Sequence, residues 1–335
     1  MKMQNLITDV EGLTVGNASD EKLYSGTTAV LFDQPAIASC HVMGGAPGTR
    51  DTDLLSPENT VETVDGLFLS GGSAFGLDAG TGVQAALREM GRGFELAGQR
   101  IPIVPGAILF DLINGGDKDW GIYSPYRELG LEAAKNAAKT FELGSAGAGL
   151  GATVAGLKGG LGSASTHLKG GATIGALVAV NALGSPLIGS SRHFHAALFE
   201  KHNEFGGLGL PSAMPEDRDH LNIKFRETIE PGTNTTLGII ATDMALTKAE
   251  AKRLAIAAHD GFARALWPAH TPLDGDIIFA VSTGTKPRPT DMAEWIDLCA
   301  LASSTMARAI ARGTFEAKHS ISDAFPCWRD RFPNP

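Results

Sequence analysis

Apolar positions along this chain fall into short blocks punctuated by glycine, and the blocks alternate between two periods. Continuous or alternating apolar runs predict strands at Thr28 to Phe32 and at Ile37 to Val42, with "DQPA" between them as a hairpin turn. Further strands are expected at Leu67 to Leu69, along "RIPIVPGAILFDL", along "GATIGALVAVNALG" ending at Asn181, and along "TTLGIIATD" and "DIIFAVSTG". Helical spacing runs from Ala74 to near Gly91 and from Glu132 to Phe141. "LTKAEAKRLAIAAHDGFARAL" is a helix opened by a capping box at Thr247 and Glu250. "TDMAEWIDLCALASSTMARAIARG" is another, with Trp295, Leu298, Ala302 and Met306 on one face and Gly313 as its expected C-cap. Residues 192–232 are polar, His-rich and weakly periodic, which inside a compact domain marks a functional or mobile stretch. Strands and helices interleave, no short repeat appears and no linker divides the chain, so a single layered α/β domain is predicted.

Composition narrows the function. At 335 residues, with 43% apolar and 19% charged residues, the chain can bury a large core. Its 42 glycines cluster in "GGAPGTR", "LSGGSAFG", "GSAGAGLGAT" and "LKGGLGSAS", where backbone can approach backbone or ligand. A net charge of −9 without a Lys/Arg cluster argues against nucleic acid and anionic membranes, and for a small substrate. Cys40, Cys299 and Cys327 form neither a CxxC nor a disulfide framework, which suits a reducing cytoplasm. The first residues carry no apolar signal region, so secretion and membrane insertion are not expected.

Several residues could carry chemistry. In "PGTNTT" a loop delivers Asn234, Thr235 and Thr236 to the mouth of a strand. A threonine freed at a chain terminus has its own base, since its α-amine titrates near 7.7–8.0 beside the hydroxyl. The same triplet also suits a plain turn entering a strand. Asp274 and Asp276 flank Gly275 before a strand, where two carboxylates at i and i+2 could orient an ammonium or help hold a metal, or simply build an Asp-Gly turn. Asn181 could offer its amide to an oxyanion or end its strand in a turn. Lys158, between glycine turns, could polarise a nucleophile or be a solvated surface charge. "LSGGSAFG" matches neither dinucleotide nor P-loop spacing, Ser73 lies in no nucleophile elbow, and the nine histidines show no metal spacing.

Taken in order, "GGAPGTRDTDLLSPENTVETVDGLFLSGGSAFGLDAGTGV", "IPIVPGAILFDL", "GAGLGAT", "KGGLGSAS", "GALVAVNALG", "NTTLGIIATD" and "LDGDIIFAVSTG" resemble the self-cleaving DmpA-like aminopeptidases and 6-aminohexanoate (nylon) oligomer hydrolases over about residues 7–312. That resemblance implies a four-layered αββα fold, made as one chain, cut between Asn234 and Thr235 into an α-chain of 1–234 and a β-chain of 235–335, and assembled as a homotetramer. It also implies Thr235 as nucleophile, Asn181 as oxyanion-stabilising group, Asp274 and Asp276 as carboxylates orienting the new terminus, and Lys158 assisting near the hydroxyl. Neither a cofactor nor a metal is implied. Where the aminopeptidase branch carries a Glu for the substrate amine, the matching stretch here has Asp111. Two other classes are compatible with the sequence: an acyltransferase of the ornithine acetyltransferase kind, and a binding protein of the same fold that never cuts.

Overall fold

A computed structural model describes residues 3–224, 234–320 and 323–333. Nine strands form one continuous hydrogen-bonded sheet, running Gly160–His167, Thr173–Asn181, Thr235–Met244, Ile277–Lys286, Ser25–Val42, Thr63–Ser70, Gly106–Ile108 and Thr49–Arg50, with Leu13–Asp20 paired on Ser25–Val42. The sheet folds over on itself at Ser25–Val42. Residues 25–32 of this strand pair with Leu13–Asp20, whereas residues 37–42 pair with Ile277–Lys286. Asp33, Gln34 and Pro35 between them are exposed, and the register against Thr63–Ser70 shifts between Leu31 and Ala36. The expected hairpin at "DQPA" is therefore a bend inside one 18-residue strand. Proline lacks the N–H a ladder needs, so it sits where the strand changes partners.

Three separate apolar cores establish four layers. The central core joins the two sheet halves, with Val30, Phe32, Leu67 and Leu69 facing Leu177, Ala179, Leu237, Ile239, Ile277 and Phe279. A second lies between Ile174, Ala176, Val178, Ile240 and Ile278 and the helices Lys248–Ala265 and Met292–Phe315. A third packs Ala29, Leu31 and Phe68 against the helices Ala79–Glu89 and Tyr126–Lys135. Successive residues of each strand go to different cores, which is why "ALVAV" and "LGIIA" read as unbroken apolar runs. At roughly 1.5–3 kcal/mol per fully buried aliphatic side chain, these sheet faces dominate the stability. The fold is an αββα sandwich, as the resemblance implied.

Some boundaries moved. The helix expected over Glu132–Phe141 is Tyr126–Lys135, because Ala138 already exchanges both backbone hydrogen bonds with Val15 at 3.0 Å. "RIPIVPGAILFDL" holds two short strands, Gln99–Ile101 and Gly106–Ile108, separated by prolines that cannot donate to a ladder. Gly313 does not end its helix, which runs to Phe315. A Cβ on Gly313 would lie 3.0 Å from Gly160 O, and one on Gly162 would lie 1.9 Å from Ala309 O, so these glycines set the close approach of helix to strand.

Candidate active site

Thr173–Asn181 and Thr235–Met244 are antiparallel, and Asn181 lies directly opposite Thr235. Paired residues of such a ladder project to the same face, so both side chains emerge at the open end of the central core. Thr235–Met244 runs parallel to Ile277–Lys286, which brings the turn carrying Asp274 and Asp276 beside the start of the first strand. An isolated bridge joins Asn234 to Asp274.

The Asn234–Thr235 bond is buried, with its two residues 1% and 3% exposed. The Thr235 hydroxyl donates to the Asn234 carbonyl oxygen at 2.5 Å, and the Gly275 N–H donates to that same oxygen at 2.9 Å. Asp276 accepts from Thr236 N at 2.8 Å through Oδ1, and its Oδ2 meets His270 Nδ1 at 2.8 Å. Asp274 accepts from Leu183 N at 3.2 Å, Thr271 N at 2.9 Å and Thr271 Oγ1 at 2.7 Å. Burial first, and then the Asp276 charge, pushes the Asp274 carboxyl above the ordinary carboxylate range.

His270 is held on every side. Its ring stacks on Phe262 at 5.3 Å, and its Nε2 donates to His259 O at 3.4 Å. Both ring nitrogens thus face acceptors, a geometry that the imidazolium satisfies fully. Burial opposes that charge, but the bond to Asp276 and the charges of Asp276 and Asp274 outweigh it, and the His270 pKa rises. Behind it, His259 donates through Nε2 to His41 O at 3.0 Å, and burial depresses its pKa to about 3.

Asn181 Oδ1 accepts from Thr153 N and from Lys224 Nζ, each at 3.0 Å, while its Nδ2 donates to Phe110 O at 2.9 Å. Lys158 is buried elsewhere in the same region. Its hairpin partner is Thr153, but its ammonium bonds Tyr24 Oη and pairs with the Asp323 carboxylate. Asp111 is fully buried and accepts from Ser25 Oγ at 2.6 Å and Gly72 N at 2.7 Å. Gly72, at φ 86°, caps the short helix that opens "SAFGLD", and a Cβ there would enter the Tyr126 ring, so this glycine turn seats aromatic packing. Among the described residues no group of three His, Cys, Asp or Glu side chains is placed to hold a metal ion, and no helix there is long and apolar enough to cross a membrane.

The model for peptidase family S58 matches residues 5–323. The chain belongs to this family. An uncharacterized aminopeptidase of Mycobacterium tuberculosis is 39% identical with 98% of each chain covered. A 6-aminohexanoate-oligomer endohydrolase of Kocuria is 27% identical over 86% of this chain and 77% of its own. Among solved structures, a Burkholderia β-aminopeptidase superposes with a TM-score of 0.70 at 20% identity, covering 99% of this chain and 94% of its own. An L-aminopeptidase D-Ala-esterase/amidase of Ochrobactrum anthropi, described as a variant of the Ntn hydrolase fold, gives 0.64 at 20%, covering 94% and 86%. The S58 member described here is thus a peptidase or amidase by family, with an Ntn-hydrolase fold.

Of the residues singled out by sequence, the structure gathers Asn181, Asn234, Thr235, Asp274 and Asp276 at one sheet end and turns the Lys158 ammonium toward Tyr24 and Asp323. Sequence reasoning missed the Gly275 N–H, His270, Thr153 and Lys224. The first two were within reach, because Gly275 lies between the two aspartates and His270 stands four residues before Asp274. Lys224, in the polar stretch, carried no local signal.

Proposed function

We propose that this S58 member is a self-cleaving N-terminal nucleophile amidohydrolase. One observation carries the reading: the Thr235 hydroxyl and the Gly275 N–H converge on the carbonyl of the buried Asn234–Thr235 bond. In the proposed cut, Thr235 Oγ attacks that carbonyl carbon while the oxygen's growing negative charge is met by Gly275 N–H. The carbon–nitrogen bond breaks, the hydroxyl proton passes to the departing nitrogen, and the Asn234 acyl group is left as an ester on Thr235. Water hydrolyses the ester to give the Asn234 carboxylate and a free Thr235 amine and hydroxyl.

In the cut enzyme, Thr235 Oγ attacks a substrate amide and its own α-amine takes the proton, later delivering it to the leaving amine; water then hydrolyses the acyl ester on Thr235, freeing the acid and the hydroxyl. Asn181 supplies an N–H to the tetrahedral oxyanion. Asp276 holds the residue after the nucleophile, and Asp274 with Asp276 orients the new terminus and its neighbours. Lys158, paired with Asp323, supports the hairpin that brings Thr153 against Asn181. Substrates on this proposal are short peptides, amino-acid amides or ω-amino-acid oligomers, a range supported by the aminopeptidase and oligomer-hydrolase relatives. The homotetramer and the cytoplasmic setting belong to the same proposal; the first rests on the resemblance, the second on cysteine usage.

The test is substitution of the nucleophile. Thr235→Ala should remain one chain and hydrolyse no amino-acid p-nitroanilide, while Thr235→Ser should be cut and active. A Thr235→Ala protein that still turns over amides would sink the mechanism.

A further inference from the structure

Lys224 is 2% exposed, and its ammonium is turned inward to the site. Nζ reaches Thr153 O and Thr153 Oγ1 at 3.0 Å, Asn181 Oδ1 at 3.0 Å and Asn181 O at 3.4 Å. Its backbone N–H donates to Leu183 O at 2.9 Å, and Leu183 N donates to Asp274, so the same residue is tied to both walls of the site. A lysine is buried this deeply only at a cost in desolvation, and perturbed ionisable groups concentrate at functional sites.

The bonds around Asn181 explain what it does there. Its carboxamide can turn its oxygen or its nitrogen toward Lys224. Two donors, Lys224 Nζ and Thr153 N–H, meet it from one side, and a flipped amide would set N–H against N–H at both. The oxygen is therefore fixed on that side and the nitrogen on the other. One of its N–H groups goes to Phe110 O and the second is uncommitted among the described residues.

We propose that Lys224 is a positioning residue for amide cleavage, holding the Asn181 carboxamide so that its second N–H is presented to the oxyanion formed at Thr235. The charged lysine also draws electrons toward Oδ1 and makes the amide N–H a stronger donor. This inference rests on the assignment of Thr235 and Asn181 made above. Burial dominates at Lys224 and brings its pKa down to about 7, against the opposing charges of Asp274 and Asp111 among the described residues. Its influence on Asn181 is accordingly greatest below neutrality and fades as pH rises.

Steady-state kinetics of the full-length wild type, Lys224→Met and Lys224→Gln on one amino-acid p-nitroanilide from pH 5.5 to 8.5 (roughly a unit and a half either side of neutrality), with thermal unfolding of each protein, tests this. Lys224→Met should keep KM within about twofold and lose kcat on the order of tenfold, short of the roughly 100- to 1000-fold cost of deleting an oxyanion donor itself. The wild-type-to-variant ratio should shrink as pH passes through about 7, and Lys224→Gln, which restores a neutral donor, should recover part of the rate. A folded Lys224→Met with wild-type kcat overturns the proposal, as does a loss that is the same at every pH. Should the Met variant not fold, a Lys224→Gln profile identical to that of the wild type overturns it equally. Wild type that is cut at Asn234–Thr235 and active alongside an unaffected variant removes Lys224 alone; uncut, inactive wild type removes the nucleophile assignment beneath it.

Discussion

The backbone N–H of Gly275 donates to the carbonyl oxygen of Asn234 at 2.9 Å, across two neighbouring strand mouths. That carbonyl belongs to the bond proposed to be cut, so a donor is already in place before charge develops on the oxygen. Preorganised donors of this kind usually supply the largest share of such catalysis. The position also demands glycine. A Cβ on Gly275 would stand 2.7 Å from both Ala46 O and Thr235 Oγ1. Gly275→Ala should therefore fold but displace the nucleophile, slowing self-cleavage on the order of 100-fold for a shift approaching 1 Å. A denaturing-gel time course checks this, with thermal unfolding as the control; wild-type cleavage by a folded variant would contradict it.

His270 should matter through Asp276. Its raised pKa means that the ion pair is fully formed below the ordinary histidine value and is lost as pH rises through the higher folded value. His270→Phe keeps an aromatic ring against Phe262 and the backbone N–H bond to Asp276 Oδ2 at 3.2 Å, but removes the 2.8 Å ring bond to that oxygen, leaving Thr236 N on a less constrained carboxylate. We expect kcat to fall by about tenfold or more with KM little changed. The stability gap between wild type and variant should narrow as pH rises above about 6.5. A variant with unchanged kcat would separate His270 from the site.

His259 sets an acid limit on the fold. Its folded pKa of about 3 lies below the unfolded value near 6.5, so its contribution is whole above 6.5 and is lost as pH falls toward 3. Relative to His259→Phe, wild type should lose stability across that window by up to about 1.4 kcal/mol per pH unit. Urea unfolding of both proteins at pH 7 and pH 5 measures the difference (from just above the unfolded value to below it). Equal losses in the two would show that His259 does not titrate with folding.

Much of this was legible in the sequence where a local pattern reflects a local cause. The capping box at Thr247 and Glu250 forms as written, and the runs ending at Asn181 and beginning at Thr235 are strands because both their faces are buried. The Ser25–Val42 strand defied reading because its bend depends on two different partner strands, and no local signal distinguishes that from a hairpin. Gly313 looked like a terminator because its real function, close approach to Gly160 and Gly162, lies in a strand far along the chain. The site divides in the same way. Asn181, Thr235, Asp274 and Asp276 sit at strand ends that sequence marks, but Lys224 reaches Asn181 from the irregular segment, and only tertiary structure could join them. The expectation of an irregular stretch over 192–232 agrees with the described part, while residues 225–232 lie outside the described residues.

The central claim is that Asn234–Thr235 is a bond made to be broken by its own hydroxyl. The most direct measurement is the intact mass of the purified protein under denaturing conditions. Self-cleavage should give two species whose masses sum to the full chain plus one water, the smaller beginning at Thr235. A single full-length species that persists on prolonged incubation, in a protein that nevertheless hydrolyses amides, would contradict it.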